Sequence, residues 1–180
     1  MGGAGGFTVA TATSQYPALP SAAFLSGDFY EFFASAFNSA KAGEMMIVAR
    51  SSTSAGPVSF AFPAPWTYAG PTPAALPSFN FAYTGFNGEA GVYQTALTGW
   101  NGASGFTEIE VTATRNFQNG STTITFPDLS GFTGFVTTPT SGTEVGWVAL
   151  IAQSSAGLPQ PMTANSTITT VENAGAYTVP

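Results

Sequence analysis

The chain has 180 residues, no histidine, no cysteine, three basic residues and nine carboxylates, for a formal net charge of −6. These counts exclude Ser-His-Asp and Cys-His catalysis, disulfides and the usual imidazole or thiolate metal sites, and they leave no basic footprint for nucleic acid. Hydrophobic residues at 44%, with 16 Phe, against only 7% charged residues predict a folded chain with ample core material.

Residues 1–20 read as a tail preceding a single domain over 21–180. Met1–Gly6 is Gly-rich and suits a flexible linker. It lacks the basic and apolar regions of a signal peptide, and fits what remains when a leader is replaced by an initiating Met. Phe7–Thr13 alternates, with Phe7 and Val9 on one side, and is suited to adding a strand to a sheet before Pro17 and Pro20 interrupt it.

An amphipathic helix is expected over residues 28–42. Phe29, Phe32, Phe33, Ala36, Phe37 and Ala40 form one apolar stripe at a 3.6-residue period. Asp28 and Glu31 stand at capping-box spacing, Lys41 falls in the last turn, and Gly43 follows as a stop. Four Phe on one stripe call for a sheet as packing partner.

The remainder reads as strands. Met45–Arg50 and Val58–Phe62 come first. Pro63–Pro77 holds five prolines with Trp66 and Tyr68; that density excludes helix and central strand, and the aromatics argue for an ordered loop. Ser78–Tyr83 alternates Phe79, Phe81 and Tyr83. Asn87-Gly88 marks a turn, Val92–Leu97 a strand, and Asn101–Gly105 a loop. Asn119-Gly120 has the chemistry of a two-residue hairpin turn. It predicts pairs Phe117–Thr122, Arg115–Ile124 and Ala113–Phe126, with Ile109, Val111, Ala113, Phe117, Ile124 and Phe126 on one apolar face. Arg115 alone breaks that face; a snorkelling stem, an edge position and a buried ion pair each account for it. Thr143–Gln153, Thr167–Val171 and Ala176–Val179 complete the set. The fold class expected is all-β, an antiparallel β-sandwich with the helix packed against it.

Little catalytic chemistry remains. Asn38 stands where an S-x-x-K dyad with Lys41 needs serine, and no phosphate-binding glycine loop is present. Glu108 and Glu110 share a strand face with Cα atoms about 7 Å apart, a separation some glycosidases use; a solvated Thr-rich face is the ordinary explanation of such a pair. No calcium loop exists, so neither a metal nor another cofactor is expected. Trp66, Tyr68 and Trp100, in or beside loops, are the candidate ligand-binding residues: they suit stacking on a glycan, or plugging the ends of the core. Phe7 and Val9 are the candidate assembly residues, by strand addition to a neighbour. No apolar stretch reaches the length of a membrane-spanning helix.

The segment Thr123-Ile-Thr-Phe-Pro-Asp-Leu-Ser-Gly-Phe-Thr-Gly-Phe135, the strand Ser141-Gly-Thr-Glu-Val-Gly-Trp147 and the terminal Ala174-Gly-Ala-Tyr-Thr-Val-Pro180 together resemble the C-terminal part of uncharacterised exported bacterial lipoproteins. The resemblance implies a β-sandwich and an extracellular or cell-surface location, with a lipid anchor in the native form; the lipidated cysteine of such proteins is not in this sequence. The functional expectation is a non-enzymatic surface protein with a structural or binding role and a protein partner. The alternatives are a self-assembling subunit of a filament, capsid or surface layer, and a carbohydrate-binding module.

Overall fold

The computed structural model describes residues 21–23, 25–38, 43–52, 59–86, 91–103, 105–134, 138–156 and 165–180. Phe7 and Val9 lie outside these residues. A short 3-10 turn at Ser21–Ala23 is followed by eight strands: β1 (Tyr30–Phe37), β2 (Gly43–Ser51), β3 (Ser78–Asn80), β4 (Val92–Gly102), β5 (Gly105–Thr114), β6 (Thr123–Thr125), β7 (Glu144–Ser154) and β8 (Thr167–Thr178). Six form one antiparallel sheet in the order β1-β2-β8-β7-β4-β5, and β3 pairs with β6 in a second.

The expected helix over 28–42 is not present among the described residues; β1 occupies its centre. The i, i+4, i+8 spacing of Phe29, Phe33 and Phe37 is also an even spacing, so these rings share one face of a strand as readily as one stripe of a helix. In β1 the stripe divides: Ala36 enters the core, while Phe33 and Phe37 are 62% and 51% exposed on the other face. Phe and Tyr at this density favour the pleated state. The capping residues have other duties. Asp28 closes a turn by accepting from Leu25 N at 2.8 Å, and Glu31 lies opposite Arg50 in the β1–β2 register.

Pairing around Asn119-Gly120 differs as well. The turn itself forms: Asn119 and Gly120 have φ of 52° and 80°, and Ser121 N donates to Gln118 O at 3.0 Å, as the I′ chemistry requires. The flanks do not pair. β5 pairs with β4, and β6 pairs with β3. Between them the chain coils, with Gln118 N donating to Thr114 O and Gly120 N to Arg115 O. It thereby crosses from one sheet to the other. Ile124 and Phe126 enter the core as expected, whereas Phe117 is 83% exposed. At the C-terminus, the two short strands expected are one, β8, paired along its length with β7. The loop expected at Asn101–Gly105 is a tight connection, with Gly102 opposite Gly105 across β4 and β5.

The core lies between the sheets. Met45, Val171, Ile151, Ala149, Trp147 and Ala96 come from the inner face of the large sheet; Phe79, Phe81, Ile124 and Phe126 come from the small sheet and its extension. The Pro-rich stretch lies over the same core and is ordered, with Trp66 buried. Prolines donate no N–H, so the carbonyls of this stretch need outside donors. Asn173 Nδ2 donates to Trp66 O at 3.1 Å, Tyr177 OH to Ala74 O at 2.9 Å, and Tyr83 OH to Ala64 O. Gly175 is required beneath Trp147: a Cβ there would lie 2.6 Å from the indole Cζ2.

Candidate functional site

The three aromatic candidates do not converge on an open surface. Trp66, on the Pro-rich stretch, stacks on Tyr68 with ring centroids 4.8 Å apart and on Phe81 at 5.7 Å. Tyr68 in turn meets the edge of Trp147 at 5.5 Å. Trp100 ends the inner row of β4 in a separate cluster with Val145 and Val179. Trp66 and Trp100 are each only 5% exposed, so protein covers the ring faces a sugar would need. Burial pushes the Tyr68 and Tyr83 phenols up to about 12. These rings plug and pin the core.

Arg115, the residue the alternation leaves unexplained, is buried and faces the same core. Its Nη2 donates to Tyr83 O at 2.9 Å and to Phe81 O at 3.3 Å. Those carbonyls belong to a sharp bend in which Tyr83 N donates to Phe81 O. Arg115 therefore ties the end of the aromatic row to the large sheet. It neither snorkels nor sits at a solvent-facing edge. Nearby on the inner face, Gln94 is fully buried, and neither its Oε1 nor its Nε2 has a hydrogen-bond partner. Alternation had no means of distinguishing that Gln from an outward-facing one.

Glu108 and Glu110 stand on β5 at the end of the sheet order, both exposed. Glu110 Oε1 accepts from Thr112 Oγ1 at 3.0 Å. Among the described residues no cluster of three or more His, Cys, Asp or Glu could hold a metal ion. Asp128 accepts from Ser130 N at 2.9 Å, which holds its carboxyl below the ordinary range and makes it a turn residue.

The face of the large sheet turned away from the aromatic core carries the remaining charges of the described residues. Register places Glu31 beside Arg50, with Arg50 Nε donating to Glu31 Oε2 at 2.8 Å. The Arg50 guanidinium also lies 4.4 Å from the centre of the Phe29 ring. Toward the other end of β2, Glu44 stands directly opposite Glu172 of β8. Directly opposed like charges are unfavourable. Burial first and the Glu44 charge second push the Glu172 carboxyl up. The same face presents Phe33, Phe37, Met46, Val48, Val148 and Leu150, by alternation with the core row; Phe33 and Phe37 are exposed, whereas Ala152, Ser154, Ile168 and Thr170 on this face are buried. On β7 the alternation of Val148 and Leu150 with the core row makes this second face legible in the sequence; its β1 part, Phe33 and Phe37, is hidden by the expectation of a helix over 28–42.

Compared with family models, with curated proteins and with solved structures, the chain matches none. Among the described residues no helix is long and apolar enough to cross a membrane.

Proposed function

We propose that the protein is a non-enzymatic extracytoplasmic surface protein, built as a β-sandwich, that acts by binding or building. One observation carries this reading. Among the described residues, the buried aromatic side chains and several of the few charges are engaged in the fold, while Phe33, Phe37 and Phe106 stay exposed on the outer face of the six-stranded sheet. Asp28 and Asp128 close turns, Glu31 pairs with Arg50, and Arg115 holds the bend at Tyr83. Apolar surface of that extent on a folded protein supports a contact role. The likeness to exported lipoproteins supports the location. Fractionation of the source cells, with protease treatment of intact cells, tests it. The protein is expected in the envelope or medium and open to the protease; recovery from the cytosol alone would refute the reading.

Self-assembly by N-terminal strand exchange is the second reading, and the sheet order favours it. β1 is a terminal strand of the sheet, and the Phe7–Thr13 segment precedes it in the chain. Aspartate at both Phe7 and Val9 is expected to abolish such assembly, measured by size-exclusion chromatography. The glycan reading draws no support from rings that the core covers.

A further inference from the structure

Among the described residues the large sheet ends in β1 on one side and β5 on the other. The β1–β2 register shows which backbone groups face the β1 edge. Asn38 N donates to Gly43 O at 3.0 Å, which continues that register by one pair. Bonded and non-bonded pairs alternate along an antiparallel ladder. Asn38, Ala36, Ala34, Phe32 and Tyr30 therefore turn their N–H and C=O groups to β2. Phe37, Ser35, Phe33 and Glu31 turn theirs to the edge, over a length of about 20 Å. Such a row is a template for a further strand, and natural edges are guarded by charge, proline or a bulge. On β5 the exposed Glu108 and Glu110 supply that guard. On β1 the one charge is Glu31, already engaged by Arg50 at 2.8 Å, and Phe33 and Phe37 stand exposed beside it.

The edge is complementary to itself, and that selects the occupant. A two-fold axis perpendicular to the sheet at Ala34 lays a second β1 antiparallel to the first. Ala34 then stands opposite Ala34 of the other copy, Phe33 opposite Ser35, and Glu31 opposite Phe37. In this register residues 31, 33, 35 and 37 of each copy all find backbone partners. A shift of two residues either way leaves one of them with no opposite in β1. A large side chain meets a smaller one at Phe33–Ser35, and the Phe33 and Phe37 rings of the two copies become diagonal neighbours within aromatic reach. The two Glu31 carboxylates stay about 20 Å apart along the strands, so like charges do not oppose. We propose that a second copy of this chain pairs with the β1 edge, strand against strand about the two-fold at Ala34, joining the two large sheets into one. This names the partner for the building role proposed above and rests on that reading. The contact is isologous and closes at two subunits. A single strand edge is a small contact, so reversible pairing of the weak, transient class is expected.

Size-exclusion chromatography with light scattering on the full chain tests it. With rising concentration the mass is expected to approach twice 18.4 kDa. Ser35→Pro removes an N–H that points away from β2, so the β1–β2 ladder survives, and pairing is expected to weaken at least about tenfold. Circular dichroism of each variant reports folding. The chain has no cysteine, so a second measurement reads the register without proline. Opposed residues of a non-bonded pair stand about 4.5 Å apart at Cα, inside the disulfide range, whereas residue 35 and its copy are diagonal and more than about 7 Å apart, outside it. On mild oxidation Ala34→Cys is expected to link two chains and Ser35→Cys to stay reduced. A wild-type monomer at about 200 μM, masses that grow past two copies, a folded Ser35→Pro chain that pairs like wild type, or a disulfide at 35 and not at 34 would each overturn the proposal. Loss of pairing on Phe7→Asp/Val9→Asp would also overturn it, in favour of strand exchange. A monomer exposed on intact cells sinks the pairing and leaves the surface role standing; a paired protein found only in the cytosol does the reverse.

Discussion

Replacing Phe79 by alanine tests the two-layer core most directly. Phe79 is fully buried and stands at the meeting point of both sheets and the Pro-rich stretch. Its ring lies 5.8 Å from Phe126, 6.2 Å from Phe81, and 6.5 Å from both Tyr68 and Trp147. Truncation removes the transfer free energy of the ring and leaves a cavity lined by large aromatics that cannot all collapse inward. The cost is about 3–5 kcal/mol. For a chain of this length, 1 kcal/mol moves the melting temperature by about 2–4 °C, so the drop expected is about 6–20 °C. Thermal unfolding followed by near-ultraviolet circular dichroism reads both the loss of aromatic order and the midpoint. Phe117→Ala is the control. Simple alternation places Phe117 on the same apolar face as Ile124, whereas the structure exposes it, so its replacement is expected to change stability by no more than about 0.5 kcal/mol. If both substitutions cost the same, or Phe79→Ala costs under about 1 kcal/mol, the core is not arranged as described.

Arg115→Met leaves the carbonyls of Phe81 and Tyr83 without their charged donor and is expected to cost about 2–4 kcal/mol by urea denaturation, with Arg115→Lys recovering only part because one ammonium cannot reproduce the fork; a Met variant as stable as wild type would refute the tie. Gln94→Leu removes a buried amide that the fold does not satisfy and is expected to raise stability by about 1 kcal/mol or more; a loss of that size would count against the unsatisfied amide. The raised Glu172 carboxyl makes the folded chain hold a proton that the unfolded chain has released, so stability falls as pH rises from the ordinary glutamate value through the folded one. Urea midpoints between about pH 4.5 and 8, taken on dilute protein, are expected to decline with pH, and Glu172→Gln to flatten that decline; superimposable profiles would refute the assignment.

Much of the strand content was legible because alternation and turn chemistry act locally. The spans of β2 and β7, the burial of Phe79, Phe81 and Tyr83, and the order of the Pro-rich stretch all follow from side chains two residues apart or from proline's missing donor. What stayed hidden depends on partners far away in sequence. The 28–42 stripe satisfies a helix and a strand equally at every fourth residue, and only the β1–β2 register, with Glu31 opposite Arg50, separates them. Asn119-Gly120 specifies a turn but not where the chain goes afterwards; Arg115 reaching the carbonyls of the Tyr83 bend accompanies a passage between sheets, where a hairpin would keep the chain in one. Trp66 and Trp100 illustrate the same limit. A loop aromatic has the same local signature whether it faces water or closes a core, and burial by Tyr68, Phe81, Val145 and Val179 distinguishes the two.

The distribution of the few charges gives the large sheet a direction. At the β5 end the outer face carries Phe106, 66% exposed, together with Glu108, Glu110, Thr112 and Thr114, and charge on a terminal strand discourages pairing with another chain. At the β1 end the outward positions are Glu31, Phe33, Ser35 and Phe37, and the strand has neither lysine nor proline. Glu31 is the one charge on that strand, and it is already engaged by Arg50. The same half of the face holds the opposed Glu44 and Glu172, an arrangement that costs stability in an isolated chain and that a cation from outside would relieve.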